Sequence, residues 1–338
     1  MDLNRSTTIR DLYGYQRLVS LRGNWVSSVG DRFAKQTMDL SIEDIHAQHP
    51  TWSVEDMVLG IQNVARAAEE KVIQVMPVYS QREIHASCDK AQAQLIYLPA
   101  QKAKRNRFCL LLSGGGYGAV CNLAEAFPVA ARLNELGLSC FCLNYRTASE
   151  ESFASGLLPK PLEDIAAALQ SIQRDASQFG LDPNRYLLGG FSAGGHLAAL
   201  WGTKHLGARY FSLPQPELLL LGYPMTDTGH LPDGALSEYM KTGLYGAGWT
   251  ADREERFAAQ RYIDADYPPV YVAAARDDDT IPPADTADFE TALRASGRPC
   301  IFEFGAKGGH GFGLGSKTDV NGWVDRAAAF WEEIHGKE

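Results

Sequence analysis

Several classes of protein are closed to this chain by what it lacks. No window reaches the roughly 18 apolar residues that a membrane-spanning helix needs, and the stretch from Met1 to Thr8 carries no apolar core of a secretory leader. These absences lead us to expect a cytoplasmic protein with no membrane partner. Positive charge is in deficit: 32 Lys and Arg stand against 41 Asp and Glu, a formal net charge of -9. No basic stripe compensates locally, so a phosphate backbone could not be neutralised and nucleic acid is excluded as a partner. Six cysteines occur without any Cys-x-x-C spacing, and Cys109, Cys140 and Cys142 lie within apolar runs. Buried reduced thiols are therefore expected rather than a disulfide framework. There is no internal repeat and no low-complexity tract.

What is present is the composition of an ordinary globular chain, 338 residues with 45% hydrophobic and 22% charged, long enough for one large α/β core and an appendage. The first eighty residues read as helical. Ser53-Val54-Glu55-Asp56 resembles a capping box, and Val58, Ile61, Val64, Ala65, Ala68 and Val72 follow on one face, with Pro77 as the stop. From residue 81 to 338, strand and helix alternate. A hairpin is expected from Glu83 to Cys88 and Gln94 to Leu98, then strands at Phe108 to Leu112, Leu138 to Leu143, Tyr186 to Leu188, Leu218 to Leu221, Val270 to Ala274 and Cys300 to Phe304. Helical periodicity separates most of them, which predicts an α/β fold with a mostly parallel eight-stranded sheet covered on both faces. The period is lost from 224 to 268, a length suited to a lid or pocket wall.

The chemistry-bearing residues follow strand ends. Gly190-Phe191-Ser192-Ala193-Gly194 stands between an apolar strand and a helix-forming stretch, the pattern of a nucleophile elbow, with Ser192 lifted over a helix N-terminus that favours negative charge. A serine hydroxyl needs a neutral imidazole to take its proton and a carboxylate to hold that imidazole. Asp277-Asp278-Asp279 follows one later strand, and Gly309-His310-Gly311 follows the next, so the chain order is serine, acid, histidine. Ser113-Gly114-Gly115-Gly116-Tyr117 follows the strand ending at Leu112. With no Gly-Lys-Ser/Thr after it and no G-x-G-x-x-G opening the next helix, it reads as an oxyanion loop rather than a phosphate loop.

Together these motifs resemble the α/β-hydrolase-fold serine esterases, close to the bacterial hormone-sensitive-lipase-like and acetylesterase-like carboxylesterases. The likeness extends over residues 82 to 335 and includes Leu143-Asn144-Tyr145-Arg146, Pro161-Leu162-Glu163-Asp164, Gly195-His196-Leu197 and Ile281-Pro282. It implies Ser192 as nucleophile, His310 as general base, and Gly115, Gly116 and Ala193 as oxyanion donors. Asp278 is implied as the acid by its distance from Ile281-Pro282, with Asp277 and Asp279 each one residue away. Where the family's loop commonly begins with histidine this chain has Ser113, so the loop's support must differ. The activity implied is hydrolysis of small-acyl carboxylic esters through an acyl-enzyme on Ser192; an amidase, arylformamidase-like enzyme or small peptidase could use the same machinery, and a non-catalytic binding module would lack one of its elements.

Other residues receive plainer readings. Tyr117, Trp249 and Phe312 are candidates for the substrate pocket. His196 is expected to pack or support its neighbours, and Arg146 to anchor a loop. The aspartate run lacks the glycine and terminal glutamate of a calcium loop, so no metal is expected, and no cofactor. The N-terminal helices could form a cap or a homodimer contact.

Overall fold

The computed structural model describes residues 3–103 and 106–336. Its frame is an eight-stranded sheet in the order β1-β2-β4-β3-β5-β6-β7-β8, with β1 Gln74–Pro77, β2 Gln94–Leu98, β3 Phe108–Leu112, β4 Ser139–Asn144, β5 Tyr186–Phe191, β6 Leu218–Gly222, β7 Val270–Ala275 and β8 Cys300–Gly305. Strands β3 to β8 run parallel to one another; β1–β2 and β2–β4 pair antiparallel. The uninterrupted apolar runs are explained by burial on both faces. In β3, Phe108, Leu110 and Leu112 enter one core layer while Cys109 and Leu111 enter the other. No helix among the described residues is long and apolar enough to cross a membrane.

The order of the strands places the site. After β3 the chain crosses to β4 on one side and later to β5 on the other, so β3 and β5 are neighbours, with Leu112 opposite Gly190. At such a reversal the loops leaving the two strands diverge and open a crevice at their carboxyl ends. The glycine loop leaves β3 and the Ser192 turn leaves β5, so both meet there. The acid and histidine loops leave β7 and β8 on the same edge.

The first strand differs from expectation. Residues Gln81–Ala86 form a helix, and β2 pairs instead with Gln74–Pro77. Ser80 accepts from the Glu83 amide while the Glu83 carboxylate accepts from the Ser80 amide, a reciprocal cap that commits this stretch to a helix, and none of its residues is buried as a strand face would be. The helix Val54–Glu69 begins at Ser53 as read, but ends eight residues before Pro77, with Lys71 in the left-handed region at φ +59°. Its Gly60 lies against the helix Ala126–Glu135 so closely that a Cβ would stand 2.8 Å from the Pro128 nitrogen. Trp25 packs edge-on to Phe127 at 5.4 Å. The N-terminal segment is thus bound to one face of the sheet through that helix.

Candidate active site

At the end of β5 the chain turns into the helix Ser192–Gly202 with Ser192 at φ +51°, a left-handed conformation costly for serine and held by its surroundings. The flanking glycines show what holds it. A Cβ on Gly190 would stand 2.4 Å from the Gly194 carbonyl oxygen, and one on Gly194 would stand 2.1 Å from the Leu112 carbonyl oxygen. Strand, turn and helix therefore touch backbone to backbone. Gly194→Ala is expected to lower the free energy of unfolding by at least about 3 kcal/mol, the upper end for overpacking, measurable by urea denaturation.

Ser192 Oγ lies 2.8 Å from His310 Nε2, and His310 Nδ1 lies 2.8 Å from Asp278 Oδ2. A carboxylate only accepts, so Nδ1 carries the proton and Nε2 is left to accept from the serine hydroxyl. The other Asp278 oxygen accepts from the amides of Thr280 (2.9 Å) and Ile281 (2.8 Å). Its neighbours do other things. Asp277 Oδ1 accepts from the amides of Gly308 and Gly309 at 2.9 and 2.8 Å, bracing the histidine loop, and Asp279 is exposed and takes the Thr280 hydroxyl. Both carboxylates of Asp277 and Asp278 are thus turned toward amides or imidazole rather than toward a common cation.

The glycine loop borders the same cleft. Gly115 has φ +128° and a Cβ there would stand 2.4 Å from the Ala119 oxygen, so this position needs glycine, while Gly116, at φ +58°, takes a left-handed conformation that glycine adopts without strain. Ala193 is in the first turn of its helix, where amides have no intrahelical acceptor. Gly115, Gly116, Ala193, Ser192 and His310 all line a cleft of about 770 Å³. Ser113, standing where the resembling family has histidine, donates to Asn122 Oδ1 (2.9 Å) and accepts from the Ala126 amide (3.2 Å). Asn122 in turn donates to Asn144 Oδ1 at 2.7 Å and to the Asn24 carbonyl at 2.9 Å, so an asparagine network reaching into the N-terminal segment supports the loop.

Tyr117, Trp249 and Phe312 do not line this cleft. Tyr117 is turned inward, its hydroxyl 2.8 Å from His196 Nδ1; Phe312 packs edge-on to Tyr223 at 4.5 Å; Trp249 lies over Tyr245 and Lys241. Tyr117 and Phe312 find partners in the interior and Trp249, half-buried, gives its indole N–H to Glu238, choices that residue type alone does not reveal. The walls come instead from Trp52 and its neighbours 48–51, and from Met225, Leu231 and Met240 of the 224–268 insertion. His196 is buried, with Nε2 donating to the Phe257 carbonyl at 2.6 Å, and burial lowers its pKa to about 4, so it is neutral. Arg146 is enclosed by Asp164, Glu163 and Asp89 and holds the start of the helix Lys160–Phe179.

Two residues at the site carried no motif: Glu125 and Tyr223. Glu125 is a buried carboxyl on the cleft wall that accepts from the Gly114 amide (2.5 Å) and from the Tyr223 hydroxyl (2.9 Å). The available signals were a single acid in the apolar stretch Leu123 to Val129 and a tyrosine directly after the apolar strand β6.

The parallel sheet, the strained serine turn at a strand end and the serine, histidine and aspartate joined by hydrogen bonds are those of an α/β hydrolase. More narrowly, the BD-FAE family model matches residues 95–293, and the chain belongs to that family. Endo-1,4-beta-xylanase B of Butyrivibrio fibrisolvens is 26% identical over 233 residues, which are 67% of this chain and 35% of that protein. The acetylxylan esterase of Xylanibacter ruminicola is 25% identical over 233 residues, 68% of this chain and 45% of that one. The chain thus spans between a third and a half of the length of these curated relatives. Among solved structures, the acetyl ester-xyloside bifunctional hydrolase of Caldicellulosiruptor lactoaceticus superposes with a TM-score of 0.65 at 26% identity, over 78% of this chain and 96% of that one.

Proposed function

We propose that this protein is a serine carboxylesterase acting on small-acyl esters. The observation that carries the reading is the relay from Asp278 through His310 to Ser192, 2.8 Å at each step, opening into a cleft lined by Gly115, Gly116 and Ala193. In this reading His310 Nε2 takes the hydroxyl proton as Ser192 Oγ bonds to the ester carbon, and the carbonyl oxygen becomes an oxyanion facing the glycine-loop and Ala193 amides. The imidazolium, paired with Asp278, gives its proton to the leaving alcohol. A water molecule then repeats the sequence on the acyl-enzyme, releasing the acid and restoring Ser192.

The likeness to an acetylxylan esterase and to an acetyl ester-xyloside hydrolase favours acetyl as the acyl group and a carbohydrate hydroxyl as the leaving group. The Trp52 ring, stacked on His49 at 4.5 Å beside the cleft, offers a flat apolar wall for a sugar face. Residues 1–80 are read as a mainly helical extension that also lends β1 to the sheet and whose segment 48–52 completes this wall, residues 81–338 as the catalytic unit and 224–268 as the opposite wall. A cytoplasmic setting belongs to the same reading, supported by six cysteines that are all free. The test is kinetic. Mixing the protein with p-nitrophenyl acetate should give a burst of p-nitrophenol approaching one equivalent if deacylation limits turnover, and a fluorophosphonate should label Ser192 stoichiometrically. Absence of labelling at Ser192 would end the proposal. A panel of acetylated xylo-oligosaccharides, longer-chain aryl esters and formyl-anilides would then define the bond and the leaving group.

A further inference from the structure

We propose that Glu125 is a positioning residue that ties the oxyanion loop to the histidine loop and, as an anion, supports charge separation between Ser192 and His310. The inference rests on the serine-hydrolase reading above. Glu125 precedes the helix Ala126–Glu135 and its carboxylate is shut away from solvent. One oxygen takes the Gly114 amide, fixing the residue that precedes both oxyanion glycines. Gly114 in turn is pressed on the nucleophile, since a Cβ there would stand 2.7 Å from Ser192 Cβ and 3.1 Å from Glu125 Oε1. The second oxygen takes the Tyr223 hydroxyl, and that hydroxyl oxygen accepts from the Gly313 amide at 2.9 Å. Tyr223 also lies edge-on to the His310 ring with centroids 4.9 Å apart. A single carboxylate therefore sits between the two loops that must keep register during acyl transfer.

Its charge has a physical consequence. Both oxygens already receive donors, so the anion is satisfied where it stands, whereas a protonated acid would have to set its hydrogen against the Gly114 N–H or reverse the bond to the Tyr223 hydroxyl. Burial raises its pKa to about 7, against the Tyr223 and Gly114 hydrogen bonds and the His310 charge, which lower it. The titratable groups facing it are Cys121 before it in the chain, Tyr223 after β6, Tyr145 after β4 and His310; burial raises the pKa values of the thiol and both phenols well above their usual ranges, so those three stay neutral near pH 7. Glu125 is then the anion nearest the glycine loop, and it is lost as pH falls through about 7.

The test compares wild type with Glu125→Gln, which keeps shape and mimics the protonated acid, and with Tyr223→Phe. At pH 8.5 the Gln variant should lose about 10- to 100-fold in kcat, the range for one charge-assisted hydrogen bond, with KM within about twofold. The wild-type to variant ratio should shrink toward one by pH 5.5, because the wild-type residue is then protonated too. Tyr223→Phe removes a donor that favours the anion, so its activity should begin to fall at higher pH than in wild type. A ratio constant across pH, or kcat within twofold at pH 8.5, would overturn the proposal; should the Gln variant lack a cooperative melt, an unshifted Tyr223→Phe profile would do so. Rates of Ser192 labelling by a fluorophosphonate are measured on the same samples. If wild type is not labelled the serine-hydrolase reading fails, and if wild type and Glu125→Gln label at equal rates at every pH only the role of Glu125 fails.

Discussion

Ser192→Ala is expected to lower kcat for p-nitrophenyl acetate by about 10⁶-fold while leaving the melting temperature within a few degrees of wild type. The size follows from where the residue stands. In the proposed mechanism alanine lacks the oxygen that would form the acyl-enzyme, so the reaction would fall back on water, and catalytic serines that act with a histidine typically contribute on the order of that factor. What that mechanism leaves is stabilisation of the oxyanion by the loop amides and ordering of substrate in the cleft, together about 10³- to 10⁴-fold over water. The fold should not suffer, because the elbow is held by the contacts of Gly190 and Gly194 with the Gly194 and Leu112 carbonyls and not by the hydroxyl. Active-site titration with a fluorophosphonate checks the result independently of substrate choice. A variant retaining more than about a thousandth of wild-type turnover would show that another nucleophile does the work.

Asp278→Asn is the second large effect, about 10⁴-fold in kcat. The amide would still accept the amides of Thr280 and Ile281 through its oxygen, which leaves its NH₂ facing His310 Nδ1. A donor there forces the imidazole into the tautomer with its proton on Nε2, where it can no longer accept from Ser192. Loss of the negative charge also withdraws support from the imidazolium. The neighbouring aspartates are the internal controls. Asp277→Asn keeps an oxygen for the Gly308 and Gly309 amides and should cost no more than about tenfold, and Asp279→Asn, at an exposed carboxyl, no more than about threefold. Steady-state kinetics on the three variants reads the difference directly. Equal losses at 277 and 278 would mean that the acid is not assigned by the hydrogen bond to His310.

Much of the architecture was legible because burial on both sheet faces leaves continuous apolar runs, and β2 through β7 fall where those runs fall; β8 is a partly exposed edge strand whose apolar residues are interrupted by Glu303. β1 was not legible. Gln74–Pro77 is a short, partly exposed edge strand with no continuous apolar run, whereas the Glu83 to Cys88 stretch has a cap, Ser80 with Glu83, that outweighs its few apolar residues. The cleft shows the same division. Ser192, His310 and the glycine loop announce themselves because a tight turn or a close backbone approach leaves only glycine as a neighbour. Glu125 and Tyr223 stand just outside a helix start and a strand end, Tyr223 at φ +34°, but no glycine or other residue type beside them marks this in the sequence, and nothing there distinguishes a carboxylate that bridges two loops from one that points to water.

From sequence alone came the alternation of strand and helix, the elbow at Ser192, the serine-acid-histidine order and the family to which they point, since each of these is a local pattern or a spacing along the chain. Only the tertiary structure decided which of three consecutive aspartates meets His310, that Tyr117 and Phe312 turn into the core while Trp52 from the far N-terminal segment faces the cleft, and that Glu125 lies between the glycine and histidine loops. The physical reason is direction. Spacing tells how many residues separate two side chains, but which of them can share a hydrogen bond depends on where each Cα–Cβ bond points once the strands have taken their order in the sheet.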